Sequence, residues 1–263
     1  MVGPRELRDY AWGLTTILEV VLFACIVVRR VYRSHPAFSA YILVALLQGV
    51  VVAWSLRRWG VQSIQYFNFG WGAQAAVVCA RWFAVAEIAR RVLAAYSGIR
   101  KMAVSILFVL GLSVLVYSIA MSKNQWNQVV LNADRAVELC IATFIVALLV
   151  FARYYRLEMT NLERQLAIGF CLFSCSWVVG NSVYQIAQNP SGPWWEFFEI
   201  FAFLASLLIW INAVRKPVEV RQVAGARVLT LDQYGQLIQQ LNARLDVLNS
   251  RLNRLFRSED SRP

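Results

Sequence analysis

The chain has 263 residues, 59% of them hydrophobic, with a mean hydropathy of +0.52. This composition excludes an ordinary soluble domain, because the apolar residues fall into blocks of about 20, the length that crosses roughly 30 Å of hydrocarbon. The net charge of +11 would suit nucleic acid, but in a membrane protein basic residues mostly mark cytoplasmic loops. We therefore expect a lipid bilayer as partner and no nucleic acid.

Seven apolar segments predict an all-α bundle of seven transmembrane helices over residues 1–216. The first segment could be a signal peptide, but it is long and ends at Arg29-Arg30 rather than at a small-residue cleavage site. We therefore interpret it as the first span. The predicted spans are residues 10–28, 37–56, 66–90, 102–121, 133–153, 165–187 and 194–214.

The third span has the features of a helix at the centre of the bundle. Small residues recur in it at four-residue spacing, which lets neighbouring helices approach closely in lipid. These residues are Gly72, Ala76, Ala80 and Ala84. Arg81 lies in the same span, where a charge costs at least ~2.5 kcal/mol unless it is paired or hydrated, so we expect it to face protein.

The basic residues outside the spans predict the orientation. With the amino terminus outside, the inner loops hold ten Lys and Arg residues and the tail from residue 215 holds nine, against six in the outer segments. This bias predicts an external amino terminus and a cytoplasmic tail. We expect a multi-pass protein of the plasma membrane, which is the inner membrane if the host is bacterial.

The tail is predicted to form a cytoplasmic coiled coil. Residues 217–229 are expected to be a linker, 230–257 the coiled-coil helix and 258–263 a disordered end. All heptad positions a and d of the helix are apolar over nearly four heptads. Position a holds Leu231, Ile238, Leu245 and Leu252, and position d holds Tyr234, Leu241, Leu248 and Leu255. We expect this helix to join copies of the chain in a homo-oligomer, or to bind a cytoplasmic protein. The alternative is an amphipathic helix that lies on the membrane or packs on the protein's own loops.

Acidic and polar residues collect toward the outer ends of the last three spans. Glu196 and Glu199 are three residues apart, so they share one face of the seventh span. An acidic and aromatic vestibule there would suit a cationic ligand or protons. The candidate ligand-binding residues are Glu138, Asn181, Tyr184 and Glu199. The alternative is that the glutamates of the seventh span lie in the interface and face water.

Three polar residues lie at comparable depths in the first three spans, namely Glu19, Gln48 and Arg81. We predict an intramembrane ion pair between Glu19 and Arg81. Such a pair can do no more than specify packing, or it can act as a gate or proton relay.

The sequence contains no signature of catalysis. It has no nucleophile elbow, no P-loop and no zinc-protease motif, and its single histidine and scattered thiols do not form a metal-ligand set. We expect no enzymatic activity, no catalytic residues, no metal and no cofactor. The leading hypothesis is a receptor or sensor that relays a signal from its outer half to the coiled coil. An oligomeric channel or transporter, and a structural subunit of a membrane complex, are the alternatives.

Overall fold

The structure is a computed structural model. It describes residues 4–122, 125–157, 159–186, 194–216, 239, 242–251 and 253, and for 4–9, 181–186 and 194–197 it describes the backbone alone.

Within these ranges the chain forms long helices and no strands. They are α1 (Pro4–Val28), the short α2 (Val31–Ser34), α3 (Pro36–Trp59), α4 (Ile64–Val92), α5 (Ser97–Met121), α6 (Trp126–Tyr154), α7 (Asn161–Ile186) and α8 (Trp194–Arg215). All except α2 are long and apolar enough to cross a membrane, which makes seven such helices in the part of the chain that the structure describes. The prediction of an all-helical, multi-pass membrane protein is confirmed at this level.

Four helices, α1, α5, α6 and α7, begin at least four residues before the predicted spans. α6 begins at Trp126, because polar residues such as Gln128 can stay helical outside the apolar block that set the prediction. α7 begins at Asn161 because Thr160 and Glu163 form a reciprocal cap. The Glu163 amide donates to Thr160 Oγ1 at 3.2 Å, and the Thr160 amide donates to Glu163 Oε2 at 3.0 Å.

Successive helices are joined by short connections and pack side by side, so the chain runs up and down through the bundle. We call the end where α1 begins the amino-terminal face, and the end where α8 finishes the tail face. α4 packs against α3, α5, α6 and α7, in agreement with its predicted central place.

The ridge of small residues on α4 is buried only in its part nearest the tail face. Ala84 is fully buried and Ala80 is half-buried, whereas Gly72 and Ala76 are exposed. The large side chains of the core follow the same division, since Leu22, Ile26, Phe38, Ile88, Leu166 and Trp210 all belong to the half nearest the tail face. The large buried side chains are therefore concentrated in the half nearest the tail face.

A helical segment of the tail, residues 242–251, packs on the turn between α4 and α5. Leu245 is 1% exposed and belongs to the hydrophobic core of the bundle. Asn249 Oδ1 accepts a hydrogen bond from the Gly98 amide at the start of α5. Asn253 Nδ2 donates to Ser97 Oγ at 3.0 Å. This contact is the packing on the protein's own loops that the sequence allowed as an alternative.

Most of the predicted coiled coil lies outside the described residues. Of its seam, Leu245 and Leu248 are described, and Leu248 is 41% exposed. The predicted linker 217–229, the end 258–263 and the remaining seam positions lie outside them. Those positions are Leu231, Tyr234, Ile238, Leu241, Leu252 and Leu255.

Candidate functional site

A cavity of about 500 Å³ lies in the amino-terminal half of the bundle, between α1, α3, α4, α6, α7 and α8. Its wall is acidic and aromatic. The charged residues that line it are Glu19, Arg81, Asp134 and Glu199, and the aromatic ones are Trp12, Tyr41, Phe173, Trp177 and Phe203. Counting formal charges, three carboxylates face one guanidinium, so the wall carries an excess of two negative charges.

A buried ion-pair cluster joins α4 to α6 beside this cavity. Arg81 Nη1 lies 3.5 Å from Asp134 Oδ1, and the same nitrogen contacts Glu138 Oε1. The three residues are 6%, 5% and 0% exposed, respectively. Asp134 and Glu138 are four residues apart and so share one face of α6, which packs directly on α4.

The Arg81 guanidinium is also held by aromatic rings. Its Cζ lies 4.9 Å from the ring centroid of Phe173 on α7 and 5.7 Å from that of Tyr41 on α3. A guanidinium is weakly hydrated and stacks well on aromatic faces, which favours arginine over lysine at this depth.

A line of side-chain amides connects α3 to the cluster. Gln48 Nε2 donates to Gln74 Oε1 at 2.5 Å, and Gln74 Nε2 donates to Asp134 Oδ2 at 3.1 Å. Gln74 precedes Arg81 by about two helical turns, so both point from the same side of α4. Gln74 therefore binds Oδ2 of Asp134, while Arg81 lies near Oδ1 of the same carboxyl group.

The cluster contains more negative than positive groups. Two carboxylates share one guanidinium, which leaves a formal excess of one negative charge, and all three side chains are buried. Glu138 Oε2 has no hydrogen-bond partner within the described residues. Because a buried, uncompensated carboxylate is costly, this arrangement favours the uptake of a cation or a proton.

The predicted pairing of Arg81 with Glu19 was wrong. In the described chain Arg81 has its ion pairs with Asp134 and Glu138 instead. The reason is helix adjacency: α1 packs against α2, α3 and α8, whereas α4 packs against α6. Glu19 is half-buried and lines the same cavity as Arg81. The structure therefore brings the two residues to one cavity without pairing them.

Of the predicted ligand-binding residues, the structure brings Glu199 to the cavity and Glu138 to the buried cluster beside it. Glu199 packs on Gly180 of α7 so closely that a Cβ at position 180 would contact the carboxyl group. Asn181 and Tyr184 lie on α7, and their side chains, like that of Glu196, lie outside the described part.

Four aromatic side chains close the cavity on the side of the tail face. They are Phe38, Tyr41, Phe170 and Trp210, each no more than 1% exposed. The Phe170 and Trp210 rings are 4.8 Å apart, and those of Phe38 and Trp210 are 5.6 Å apart. Trp210 Nε1 donates to the Leu166 carbonyl at 3.2 Å, which fixes the indole. We call this set the aromatic floor.

The sequence carried signals for this network, although Asp134 and Gln74 were not among the predicted site residues. Asp134 and Glu138 show a four-residue spacing within one span, and Gln48 and Gln74 are amides in otherwise apolar helices. Each signal is weak alone, and only helix adjacency makes them a network. No group of three or more potential metal-ligating side chains occurs in the part of the chain that the structure describes.

Comparison with known proteins gives no relative of this chain. No protein-family model, no curated protein and no solved structure matches it.

Proposed function

We propose that this protein is a seven-helix membrane receptor that binds a small organic cation in its amino-terminal half and relays binding to its tail. The observation that carries the proposal is the cluster of Arg81 with two buried carboxyl groups beside an open, acidic and aromatic cavity. The charge bias of the sequence supports an external amino terminus and a cytoplasmic tail in a plasma membrane.

The lining of the cavity suits an ammonium group. Aromatic faces attract a desolvated cation, and the carboxylates of Glu19 and Glu199 add charge near the walls. A cation that reached Asp134 would compete with Arg81, whose contact with that residue spans 3.5 Å. Binding would therefore change the balance of the ion pairs that hold α4 to α6.

α4 offers a direct mechanical connection between the cavity and the tail. It is one continuous helix that runs from Ile64 to Val92, so about 17 Å of helix separates Arg81 from its end. The next turn leads to Ser97 and Gly98 at the start of α5, on which the tail segment packs. A shift of α4 would alter that docking surface. Release of the tail would free Leu245 for the coiled coil with another copy or for a cytoplasmic protein partner.

Ligand binding is tested by thermal unfolding of the purified protein in detergent. Choline should raise Tm, while its neutral isostere 3,3-dimethylbutanol at the same concentration should not. The panel should extend to tyramine and putrescine, which present primary ammonium groups. Glu199→Gln and Asp134→Asn should abolish the rise, whereas Asp246→Asn on the exposed tail should preserve it. The proposal fails if no cation raises Tm, or if both cavity variants respond like the unchanged protein.

The relay is tested by limited trypsin digestion. Arg244 and Arg251 lie on the docked tail segment, so a bound cation that releases the tail should speed cleavage there. Leu245→Asp should give the fast rate without ligand, because it removes the buried anchor of the segment. Equal cleavage with and without a bound cation would contradict the relay and leave ligand binding intact.

A second candidate function is a cation channel or carrier, favoured by the arrangement of two open volumes on either side of the aromatic floor. A pocket of about 700 Å³ lies at the tail face, and the floor separates it from the cavity. A permeation path would have to open between Phe170 and Trp210. Proteoliposomes should then pass choline, and Phe170→Ala should raise the flux. A receptor should give no flux above that of empty liposomes.

A further inference from the structure

The pocket at the tail face, which we call the tail-face pocket, is basic. It has a volume of about 700 Å³ and lies between α2, α3, α4, α5, α7 and α8. Its charged lining consists of Arg90, Arg91, Arg100 and Lys216 with Glu87 and Glu163, together with His35. Without the histidine, four cations face two carboxylates, so the formal excess is two positive charges.

Both acids of the pocket are committed to backbone groups. Glu87 Oε2 accepts hydrogen bonds from the amides of Ala37 and Phe38, each at 3.0 Å, and thereby caps α3 from a neighbouring helix. Glu163 Oε2 accepts from the Thr160 amide in the cap of α7. The second oxygen of Glu87, Oε1, lies 3.6 Å from Arg91 Nη2, so Glu87 balances that arginine as well as the end of α3.

The other three cations of the pocket have no such ion pair. Arg90, Arg100 and Lys216 have no carboxylate within 4.0 Å anywhere in the described chain. Arg90 and Lys216 are exposed and Arg100 is half-buried, so these side chains can reorient toward a ligand. Guanidinium groups match the oxygens of phosphate in charge and in geometry.

His35 supplies an independent, buried polar group in the wall of the pocket. It is 4% exposed, its Nδ1 lies 3.0 Å from Ser34 Oγ, and its Nε2 is buried with no hydrogen-bond partner within the described residues. Burial, and then the nearby charge of Arg91, lower the pKa of His35 from 6.5 to about 4. The imidazole is therefore neutral at neutral pH and offers an unused nitrogen to a ligand.

The pocket also has an apolar side. Phe83 and Ala86 of α4 line it, and Phe83 is 64% exposed. Because α4 and α8 both end here, the pocket lies where transmembrane helices meet the membrane–water boundary. Basic pockets between helices at this level are the places where phospholipid headgroups bind.

We propose that the tail-face pocket binds the phosphate group of an anionic ligand, supplied by a phospholipid headgroup or by a soluble phosphate ester. Arg90, Arg100 and Lys216 contact the phosphate. In the tautomer with its proton on Nε2, His35 donates a hydrogen bond to a phosphate oxygen, while Nδ1 accepts from the Ser34 hydroxyl. The apolar wall at Phe83 accommodates the adjoining carbon chain when the ligand is a lipid. This proposal does not depend on the cation site in the other half of the bundle.

The chain has a single histidine, so His35 is a built-in probe of the pocket. The full-length protein, purified without a polyhistidine tag and labelled with ¹⁵N-histidine, should give one imidazole spin system in detergent micelles. Dioctanoyl phosphatidate should shift it saturably, whereas dioctanoylglycerol, which lacks only the phosphate, should not. Glycerol 3-phosphate distinguishes the two sources: an equal shift at equal concentration assigns the site to soluble esters, and a shift with phosphatidate alone assigns it to lipid.

The variant Arg90→Gln/Lys216→Gln should weaken phosphatidate binding roughly tenfold or more, since it removes two charge-assisted contacts. The matched control is Arg57→Gln/Lys101→Gln, which removes the same charge from exposed side chains that do not line the pocket. An unchanged imidazole shift in the unliganded variants reports that the fold is intact. The proposal is overturned if no phosphate compound moves the His35 signal, or if the pocket and control variants bind equally.

Discussion

Replacing Arg81 by glutamine should destabilise the protein strongly, because Arg81 is the shared partner of two buried carboxyl groups. Asp134 is 5% exposed and Glu138 is fully buried, so neither can recover solvation when the guanidinium is removed. Removing one partner of a buried ion pair typically costs about 3–5 kcal/mol. For a domain close to this size that corresponds to a fall in Tm of roughly 6–20 °C.

Removing one of the two carboxyl groups instead should reduce the stability only slightly. In Glu138→Gln the glutamine keeps the shape of the side chain, and Arg81 keeps Asp134 at 3.5 Å as an equal and opposite charge. The formal charge of the cluster then falls from an excess of one negative charge to zero. We expect a cost of about 1 kcal/mol or less, comparable to a single hydrogen bond.

The assay is a double-mutant cycle on thermal unfolding in one detergent. Arg81→Gln/Glu138→Gln should be more stable than Arg81→Gln, because one of the two uncompensated carboxylates is gone. We expect an interaction free energy of about 1.5–3 kcal/mol, the upper part of the range for residues in contact. Arg57→Gln, on an exposed arginine at the amino-terminal face, is the control for loss of charge.

Two results would refute this reasoning. The first is an Arg81→Gln variant with the same Tm as Arg57→Gln, because the cluster would then be hydrated rather than buried. The second is a double variant with a Tm equal to or below that of Arg81→Gln. In that case the negative charge of Glu138 would not depend on Arg81 for its compensation. The proposed uptake of a cation would then lose its electrostatic basis.

Three further predictions concern the half of the bundle nearest the tail face, and each is measured as the change in Tm. Gly169→Ala should cost about 1–3 kcal/mol of stability, because a Cβ there would overlap the fully buried indole of Trp210. Gly111→Ala is the control and should cost less, because its Cβ would have contacts no shorter than 3.3 Å. Glu87→Leu should cost about 1–2 kcal/mol through loss of the cap on α3, and Glu87→Gln should keep part of it. The pKa of His35 falls from 6.5 to about 4 on folding. Between these pH values the unfolded chain binds more protons than the folded one, so the stability falls as the pH drops through that window. The total loss should be about 3 kcal/mol. The His35→Gln variant should lack this component, so the difference between the two pH profiles isolates it from titration of the carboxyl groups.

The fold class could be predicted because each span satisfies a one-dimensional requirement. About 20 apolar residues must follow one another to cross the hydrocarbon, and the sequence contains seven such blocks. The helix ends were harder to predict, because they depend on caps rather than on hydropathy. The reciprocal cap of Thr160 and Glu163 sets the start of α7, and it lies in a stretch whose charges had been assigned to a loop.

The site could be predicted only in part, for a geometric reason. Hydropathy and length give the depth of a residue in the membrane, and they predicted comparable depths for Glu19 and Arg81 but an outer vestibule for Glu199. The structure brings all three to one cavity. Hydropathy and length do not give which helices are neighbours, and that decides the ion pairs. Arg81 faces α6 and not α1, so its partners are Asp134 and Glu138. Their spacing of four residues marked a shared helix face, but the sequence did not show which helix that face would meet.

The tail carries two patterns that a single helix cannot satisfy at once. Leu245 occupies a seam position of the predicted coiled coil, yet it is 1% exposed against the bundle, and Asn249 beside it bonds the Gly98 amide at the start of α5. A coiled coil would have to bury the same leucine against another chain. Docking and the proposed oligomerisation would therefore compete for one side chain. A shift of the turn between α4 and α5 would change that competition without altering a heptad residue. Pairing through the predicted seam would then depend on the conformation of the bundle as well as on the heptad sequence.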